Sequence, residues 1–503
     1  MDFLSFVLCL LLAWIGIHLI LSNIKKNNEL NPRRLPPGPP TIPIFGNLFN
    51  LGSNPHISLT ELSKKYGPLM TLQLGRVPTV IITSASMAKE ALQKNDLSFS
   101  NRMVIDAVYA VNQYQNSVVW LPVSSPKWRN LRRICNSHVF SAGRLNASQC
   151  IRMNKIKDLI SYVEKCSEAN IAVDIGQAAF TTTLNLLSNT FFSVDLGDPN
   201  SEISRRFKEI IRDIMEDAGK PNFADYFPIL KKIDPQGIRR RMAINFQKMI
   251  DLFTSLMDER LEGKRPSDSI QGNDVLDALL GINQEKTEEI APSHIPNLLV
   301  DLFGAGTDTT SSTLEWAMAE LLRNPKKMKK AQKELRETIG TGNLINESDI
   351  TRLPYLQTVV KETFRLHPAV PFLVPRRVHK DVRLFGYTVP KNAQVLVNVW
   401  AIGRDPDLWE RPNSFEPERF MGSEIDVKGR DFELIPFGAG RRICPGMPLA
   451  IRMIHLMLGS LIHGFDWKLE GGISPEKMDM TEKFGFTLEK AQRLRAIPSP
   501  VRV

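Results

Sequence analysis

Residues 436–450 read PFGAGRRICPGMPLA, and any fold this chain adopts has to be able to present that loop. Gly438 and Gly440 let backbone approach a flat ligand closely. The Pro445-Gly446 pair then opens an apolar run, 447–461, that reads as a helix, since proline suits the first helical turn, where its missing N–H costs nothing. Cys444 is thereby placed at a helix N-terminus, where free N–H groups and the helix dipole favour thiolate, the form that binds a metal. A cysteine in a glycine-rich turn is also commonly a buried, inert thiol. The loop alone leaves both readings open.

The other cysteines narrow the choice. There are five in all, Cys9, Cys135, Cys150, Cys166 and Cys444, odd in number, widely spread and without a CxxC pair. That pattern disfavours a disulfide framework, a zinc site and a covalently attached CxxCH haem, and it fits a reducing compartment. A net charge of +10 over 503 residues admits nucleic acid, an acidic membrane surface or an acidic protein as partner. Nothing in the chain resembles a nucleic-acid module.

The first residues point to a membrane. Residues 3–21 form a nearly unbroken apolar run, with Trp14 and His18 the only bulky polar-tipped members. About twenty such residues span a bilayer as a helix. A cleaved signal peptide would carry positive charge before the run; here Lys25, Lys26, Arg33 and Arg34 follow it. The expectation is an uncleaved single-pass anchor over 1–22, lumenal N-terminus and cytosolic body. LPPGPP at 35–40, continuing to Gly46, reads as a stiff extended hinge within 23–46. No second linker, repeat or low-complexity tract follows, so 47–503 is expected to be one domain. Its early β-like runs, 69–74 and 79–82, give way to long helical periodicity, as at 242–261 and 324–339.

Residues 293–324 are the longest helical candidate, with Ser293 as N-cap, Pro296 in the first turn and Pro325 ending it. Inside lies Gly304-Ala305-Gly306-Thr307-Asp308-Thr309-Thr310. Each mid-helix glycine costs roughly 1 kcal/mol relative to alanine, so their presence needs a reason. Thr309 can donate back to the carbonyl of Ala305. Small residues also serve helix–helix contacts, and composition alone favours that simpler use. Downstream, Glu362 and Arg365 share one face of a predicted helix over 355–367. Most such pairs are solvated bridges of little worth. Prolines between 368 and 376 favour an extended segment there.

Taken together, four motifs in order carry a resemblance: AGxDTT at 305–310, ExxR at 362–365, FxPxRF at 415–420 and FxxGxRxCxG at 437–446. They identify the chain as a member of the cytochrome P-450 superfamily, most similar to plant microsomal members. PNFADYFP at 221–228 and DPQG at 234–237 resemble the branch containing geraniol hydroxylases and abietane diterpene oxidases. The resemblance implies a mainly α fold with a small β-rich part, preceded by one transmembrane helix.

It also implies roles. Cys444 would be the proximal thiolate of haem b, pushing electron density onto iron and favouring O–O cleavage, with Phe437 beside it. Arg442, Arg376, Trp128, Arg132 and Arg102 would contact the propionates. Thr309 and Asp308 would handle dioxygen and its protons. Glu362, Arg365 and Arg419 would form a structural clamp. Gly304, Ala305, Val370, Phe372, Leu373 and Phe486, with Ala369 and Phe484 nearby, would border the substrate pocket.

The implied reaction is O2-dependent hydroxylation of an apolar small molecule, a mono- or diterpenoid, at the endoplasmic reticulum membrane. No Walker motif or complete GxGxxG is present. Electrons would therefore come from NADPH through a separate NADPH-cytochrome P-450 reductase, docking near Arg133, Arg441 and Arg452. Oxidation of another secondary metabolite or a xenobiotic is the alternative. A haem-thiolate rearrangement enzyme or gas sensor would not need the Asp308–Thr309 pair.

Overall fold

The computed structural model describes Gly16 and residues 34–197, 202–263, 274–284 and 292–501. The expected anchor at 1–22 and the basic residues up to Arg33 lie, Gly16 apart, outside the described residues.

Helix α1 (Pro55–Tyr66) leads into a hairpin of β1 (Leu69–Leu74) and β2 (Val77–Ile82), the two early β-like runs of the sequence. Short β3 (Asn101–Arg102) follows, then helices α2 (Pro126–Ile134) and α3 (Gln149–Glu168). Strand β4 (Val173–Asp174) caps α4 (Ile175–Phe192), with the Asp174 carboxylate accepting from Gln177 N at 2.9 Å. Next come α5 (Glu202–Gly219), α6 (Ile238–Leu261), α7 (Ile295–Arg323), α8 (Pro325–Ile339) and α9 (Pro354–Leu366). Strands β5 (Arg376–Arg377), β6 (Val382–Leu384), β7 (Tyr387–Val389) and β8 (Gln394–Val397) precede α10 (Met447–Gly464). The chain closes with β9 (Phe465–Leu469), the hairpin β10 (Glu482–Lys483) and β11 (Glu489–Lys490), and β12 (Arg495–Pro500). The main sheet runs β1-β2-β8-β5-β3, and β4-β12-β9 forms a second.

Helix α7 crosses the middle of the molecule. Along its C-terminal half it is buried nearly all round, with Leu314, Trp316, Ala317 and Met318 fully buried and Ser311, Ser312, Thr313, Glu315 and Glu320 buried among them. Ser293 is not its cap: a turn of tighter helix at Pro292–His294 feeds directly into it, and His294 stands at the N-cap without a side-chain capping bond. Pro296 does sit in the first turn. Pro325 does more than end α7, because it opens α8, its missing N–H tolerated at a helix start. Helix α10 is long and apolar enough to cross a membrane, but it is a core helix, with Leu456, Met457 and Leu458 fully buried.

The described part of the proline-rich segment is laid onto the sheet, and it is not extended to its end: residues 42–46 form a tight turn, with Gly46 N donating to Ile42 O at 2.7 Å. Thr71 N donates to Pro37 O at 2.8 Å and Thr388 N to Arg34 O at 2.7 Å. Gly38 makes this approach possible: a Cβ there would lie 1.8 Å from the Thr71 carbonyl oxygen. Segment 368–376 is not the extended run its prolines suggested. It turns, with Leu373 N donating to Val370 O at 3.0 Å and Leu373 at φ 53°, and only Arg376–Arg377 pairs as strand.

Candidate active site

The two glycines of α7 do different work. A Cβ on Gly306 would meet Leu187 Cδ1 at 3.0 Å, so this glycine lets α4 lie close against α7. A Cβ on Gly304 would have open space within 4 Å. Between them and the next turn, Thr309 Oγ1 donates to the Ala305 carbonyl at 2.8 Å, the back-bond the sequence predicts. The helix nevertheless continues without interruption from Ile295 to Arg323.

Ala305 and Thr309 line a cavity of about 260 Å³ whose opposite wall contains Cys444, Pro445 and Gly446. Val370, Leu373 and Phe486 line the same space, as does Ala369. Gly304 and Phe372 are not among its lining residues. Phe372 packs instead with Met70, Leu72 and Leu396 beside β1, its ring edge-on to Phe484 at 5.8 Å. The turn at Leu373 lets the consecutive Ala369 and Val370 line the same cavity as Leu373 while Phe372 leaves it, a grouping that the alternation of an extended run does not produce.

Cys444 N donates to Phe437 O at 2.9 Å, and Phe437 packs edge-on against Phe364 of α9 at 5.1 Å. Gly438 and Gly440 have φ of 71° and 68°, the left-handed region that glycine adopts without strain. A side chain on Gly440 would meet Leu92 O at 2.4 Å. Burial pushes the Cys444 thiol up, while backbone N–H groups of Gly446 and Met447 at the start of α10 pull it down; burial is the larger effect. The helix end alone therefore does not make the thiolate, and a metal cation would.

Four arginines occupy one end of the cavity. Arg102 and Arg376 stand directly opposite each other across β3 and β5, a like-charge pairing that costs stability unless something compensates it. Arg132 and Arg442 line the same space. Burial lowers the pKa of Arg102, Arg376 and Arg442, to about 10 for Arg376 and about 9 for Arg442, and repulsion from neighbouring arginines adds to the fall at Arg102 and Arg442. Arg442 satisfies its guanidinium on carbonyls, Ser100 O at 2.8 Å and Val118 O at 3.1 Å, and stacks over Trp128 at 4.7 Å. Trp128 itself donates to Val118 O at 3.0 Å. The Nε atoms of Arg102 and Arg376 are buried without any partner. No carboxylate bridges this group among the described residues; Asp96 acts on it only from a distance and is itself paired with exposed Arg441 at 3.0 Å. A soft thiolate donor facing an apolar space, with uncompensated cations at one end, fits a flat, iron-bearing macrocycle carrying carboxylates, which is haem.

Behind Cys444, the clamp residues do meet. Arg365 donates from Nε and Nη2 to the two oxygens of Glu362, both at 2.7 Å, and Arg419 Nε reaches Glu362 Oε1 at 3.0 Å. Glu362 and the Arg365 side chain are fully buried, and Arg365 also donates to Pro412 O and Ser414 O. Both guanidiniums share this one carboxylate, and their other N–H groups reach backbone carbonyls.

Asp308 lies one step round α7 from Thr309 and faces a different space. It lines a second cavity, about 490 Å³, together with Glu315, Lys483 and Thr487. Its Oδ2 is buried without a hydrogen-bond partner, and burial raises its pKa. Phe486 borders both cavities.

Sequence reasoning missed Asp301. Its carboxylate accepts from Ser117 Oγ at 2.7 Å and Val118 N at 2.8 Å, which holds the segment that supplies Arg442 with carbonyls. Burial lifts its pKa to about 6. The signal was present: Asp301, Ala305 and Thr309 are four residues apart and share one helix face. Of the suggested docking arginines, Arg452 is tied to Glu347 at 2.9 Å, Arg441 to Asp96, and Arg133 is exposed on α2.

Comparison with known proteins agrees with this geometry. A family model described as Cytochrome P450 matches residues 36–494. Geraniol 8-hydroxylase of Swertia mussotii is 57% identical over 469 residues, 93% of this chain and 94% of that protein. Geraniol 8-hydroxylase of Catharanthus roseus is 56% identical over 499 residues, 99% and 100% of the two chains. Drimenol monooxygenase of Persicaria hydropiper is 54% identical over 502 residues, 100% and 98%. A zebra fish cytochrome P450 solved with progesterone superposes with a TM-score of 0.76 at 27% identity, over 89% of this chain and 99% of that one.

Proposed function

Since the chain belongs to the cytochrome P450 family and is a haem-thiolate monooxygenase, we propose that it hydroxylates a small terpenoid alcohol of the geraniol type. The observation that carries this reading is the lining of the cavity that holds Cys444: Val370, Leu373, Leu302 and Phe486 are apolar, and on α7 the polar members are Asp301 and the hydroxyls of Thr309, Thr310 and Thr313. Such a lining selects for hydrocarbon and leaves few groups to orient a polar molecule. Similarity to geraniol 8-hydroxylases over nearly the whole chain supports the substrate class.

Cys444 would hold the haem, with Arg102, Arg132, Arg376 and Arg442 receiving its carboxylates. Bound there, haem supplies the activation of dioxygen. The protein's own part is to exclude water with the apolar wall and to manage protons. Asp308 Oδ2, protonated more readily because it is buried, takes protons from the side of the second cavity. Thr309 Oγ1 gives up its bond to the Ala305 carbonyl and donates into the first. Thr309→Ala keeps haem and NADPH consumption but diverts more of the electrons to hydrogen peroxide, measured as product formed per NADPH.

Electrons come from NADPH through a separate NADPH-cytochrome P450 reductase. Residues 1–22 anchor the chain in the endoplasmic reticulum membrane, residues 23–46 form the hinge, and 47–503 act as one catalytic domain facing the cytosol. Apolar side chains near the hinge support a membrane-facing side: Phe49 is 68% exposed, Ile229 81% and Ile233 68%, and Phe45 bridges them through Phe227 at 6.1 Å. The deciding experiment is turnover of the full chain with plant reductase and NADPH on geraniol and drimenol. Oxidised geraniol is the expected product, and no oxidation of either alcohol overturns the substrate reading.

A further inference from the structure

The hairpin β10–β11 carries Phe486 to the border of both cavities, and its own contacts decide where that ring stands. At its far end, Leu488 N donates to Ala369 O at 2.8 Å, and Leu488 O accepts from Ser312 Oγ at 2.8 Å and Trp316 Nε1 at 3.2 Å. That end is fixed by backbone atoms to α7. The near end pairs with β11, Glu482 opposite Lys490, and Ala491 N donates to Thr481 O at 2.8 Å; beyond that ladder, the side chain of Glu482 ties it to the body of the protein.

Glu482, 9% exposed at its side chain, gathers donors from three distant parts of the chain. His56 Nε2 of α1 lies 2.8 Å from Oε2, and Trp400 Nε1 lies 3.1 Å from both oxygens. Arg404 Nη2 stands 3.7 Å away, and His367 Nδ1 3.4 Å away, close in charge but not aligned as a bond. Burial opposes ionisation, yet His367 and His56 hold the Glu482 carboxyl well below the usual carboxylate range. The same donors reach the turn itself. Phe484 stacks on His56 with centroids 5.6 Å apart and planes at 17°, and His56 meets Trp400 edge-on at 5.1 Å. His367 is bonded on its other nitrogen to Glu320 of α7 at 2.8 Å and stacked on Trp316 at 4.0 Å.

We propose that Glu482 is a positioning residue: its carboxylate locks the near end of the hairpin to α1 and to residues 400–404, so that Phe486 holds one place in the wall of the haem-side cavity. Residues 482 and 486 are joined by one short turn whose other end is already pinned at Leu488. Releasing the carboxylate frees the ring to swing between the two cavities it separates, which changes the shape available to a large ligand and leaves the iron's surroundings alone. The proposal concerns the same pocket as the proposed function, and its first measurement needs no substrate.

The test uses the full-length protein with haem, in membranes, and the variants Glu482→Gln and Trp400→Phe. Glu482→Gln keeps the shape and removes the charge; Trp400→Phe keeps the charge and removes one donor. Binding of imidazole and of the bulky azole clotrimazole is followed by the shift of the Soret band. Losing a charge-assisted bond is expected to weaken clotrimazole about tenfold in Glu482→Gln, with a smaller loss in Trp400→Phe, while imidazole affinity and the reduced-CO Soret band stay the same. Geraniol, if oxidised by the parent protein, is expected to yield a broader mixture of positional products. Equal weakening of both azoles, or unchanged clotrimazole binding with an intact CO band, overturns the proposal. If Glu482→Gln loads no haem, Trp400→Phe decides alone, and an unchanged ratio of the two affinities refutes the positioning role. Failure of geraniol oxidation by the parent protein bears on the substrate reading only.

Discussion

Two groups of arginines flank the same site and obey opposite rules. In the clamp, Arg365 and Arg419 close on Glu362, and their remaining N–H groups reach backbone carbonyls. In the cluster at the cavity's end, Arg102 faces Arg376 across two short strands, and each keeps a buried Nε without a partner. A buried charge set that is complete in itself is part of the fold. One that is incomplete is a receptor, because leaving such groups unpaired costs far more than an anion's arrival.

The contrast is most sharply broken at Glu362. Glu362→Ala strands two buried guanidinium groups and is expected to cost about 3–5 kcal/mol, enough to abolish folded protein. Thermal unfolding and haem content of purified material measure it. Arg376→Gln should behave differently. It relieves repulsion, so the haem-free protein melts no lower than the parent, while haem transfers to apomyoglobin about ten times faster for want of one charge-assisted contact. A lower melting point for the haem-free form would place Arg376 with the clamp.

Glu315 stands between the two cases, a carboxyl with one backbone donor, Leu494 N at 2.7 Å, and no bonded cation. Burial lifts its pKa from 4.5 to about 7. The folded state therefore binds this proton more tightly than the unfolded chain, so the contribution is whole below pH 4.5 and is lost as pH rises towards 7. Glu315→Gln should flatten stability over that window by on the order of 1 kcal/mol, read from denaturant midpoints at pH 5 and pH 7. The smallest effect belongs to Gly304→Val. With open space around its Cβ and a better helix former in place, stability should rise by a few tenths of a kcal/mol, and substrate titration reports whether the new side chain narrows the pocket. Gly306→Val, against Leu187 at 3.0 Å, should lose stability instead.

What the sequence made legible was local. The spacing of Glu362 and Arg365, the back-bond of Thr309 and the helix following Cys444 all depend on neighbours within a turn or two, where periodicity is decisive. Ser293 and Pro325 show the limit: both carried correct boundary chemistry, but the tighter turn before α7 and the immediate start of α8 depend on what packs against those ends. Phe372 and Phe486 look equivalent as aromatics in loops, and only the turn at Leu373 and the hairpin assign them to different spaces. Glu482 was invisible because its partner His56 lies 426 residues away in the chain. No periodicity records such a distance.

The strap at 34–46 carries a mechanical consequence. Gly38 lies against the Thr71 carbonyl with no room for even a methyl group, and bonds at Pro37 and Arg34 stitch the strap to β1 and β7. Residues 34–46 are therefore not free to swivel on the sheet. Through Thr71 these residues join β1, which neighbours β2, then β8, then β5, where Arg376 sits. Residues 34–46 are a bracket rather than a string, and the fit of that bracket rests on a glycine that lines neither cavity.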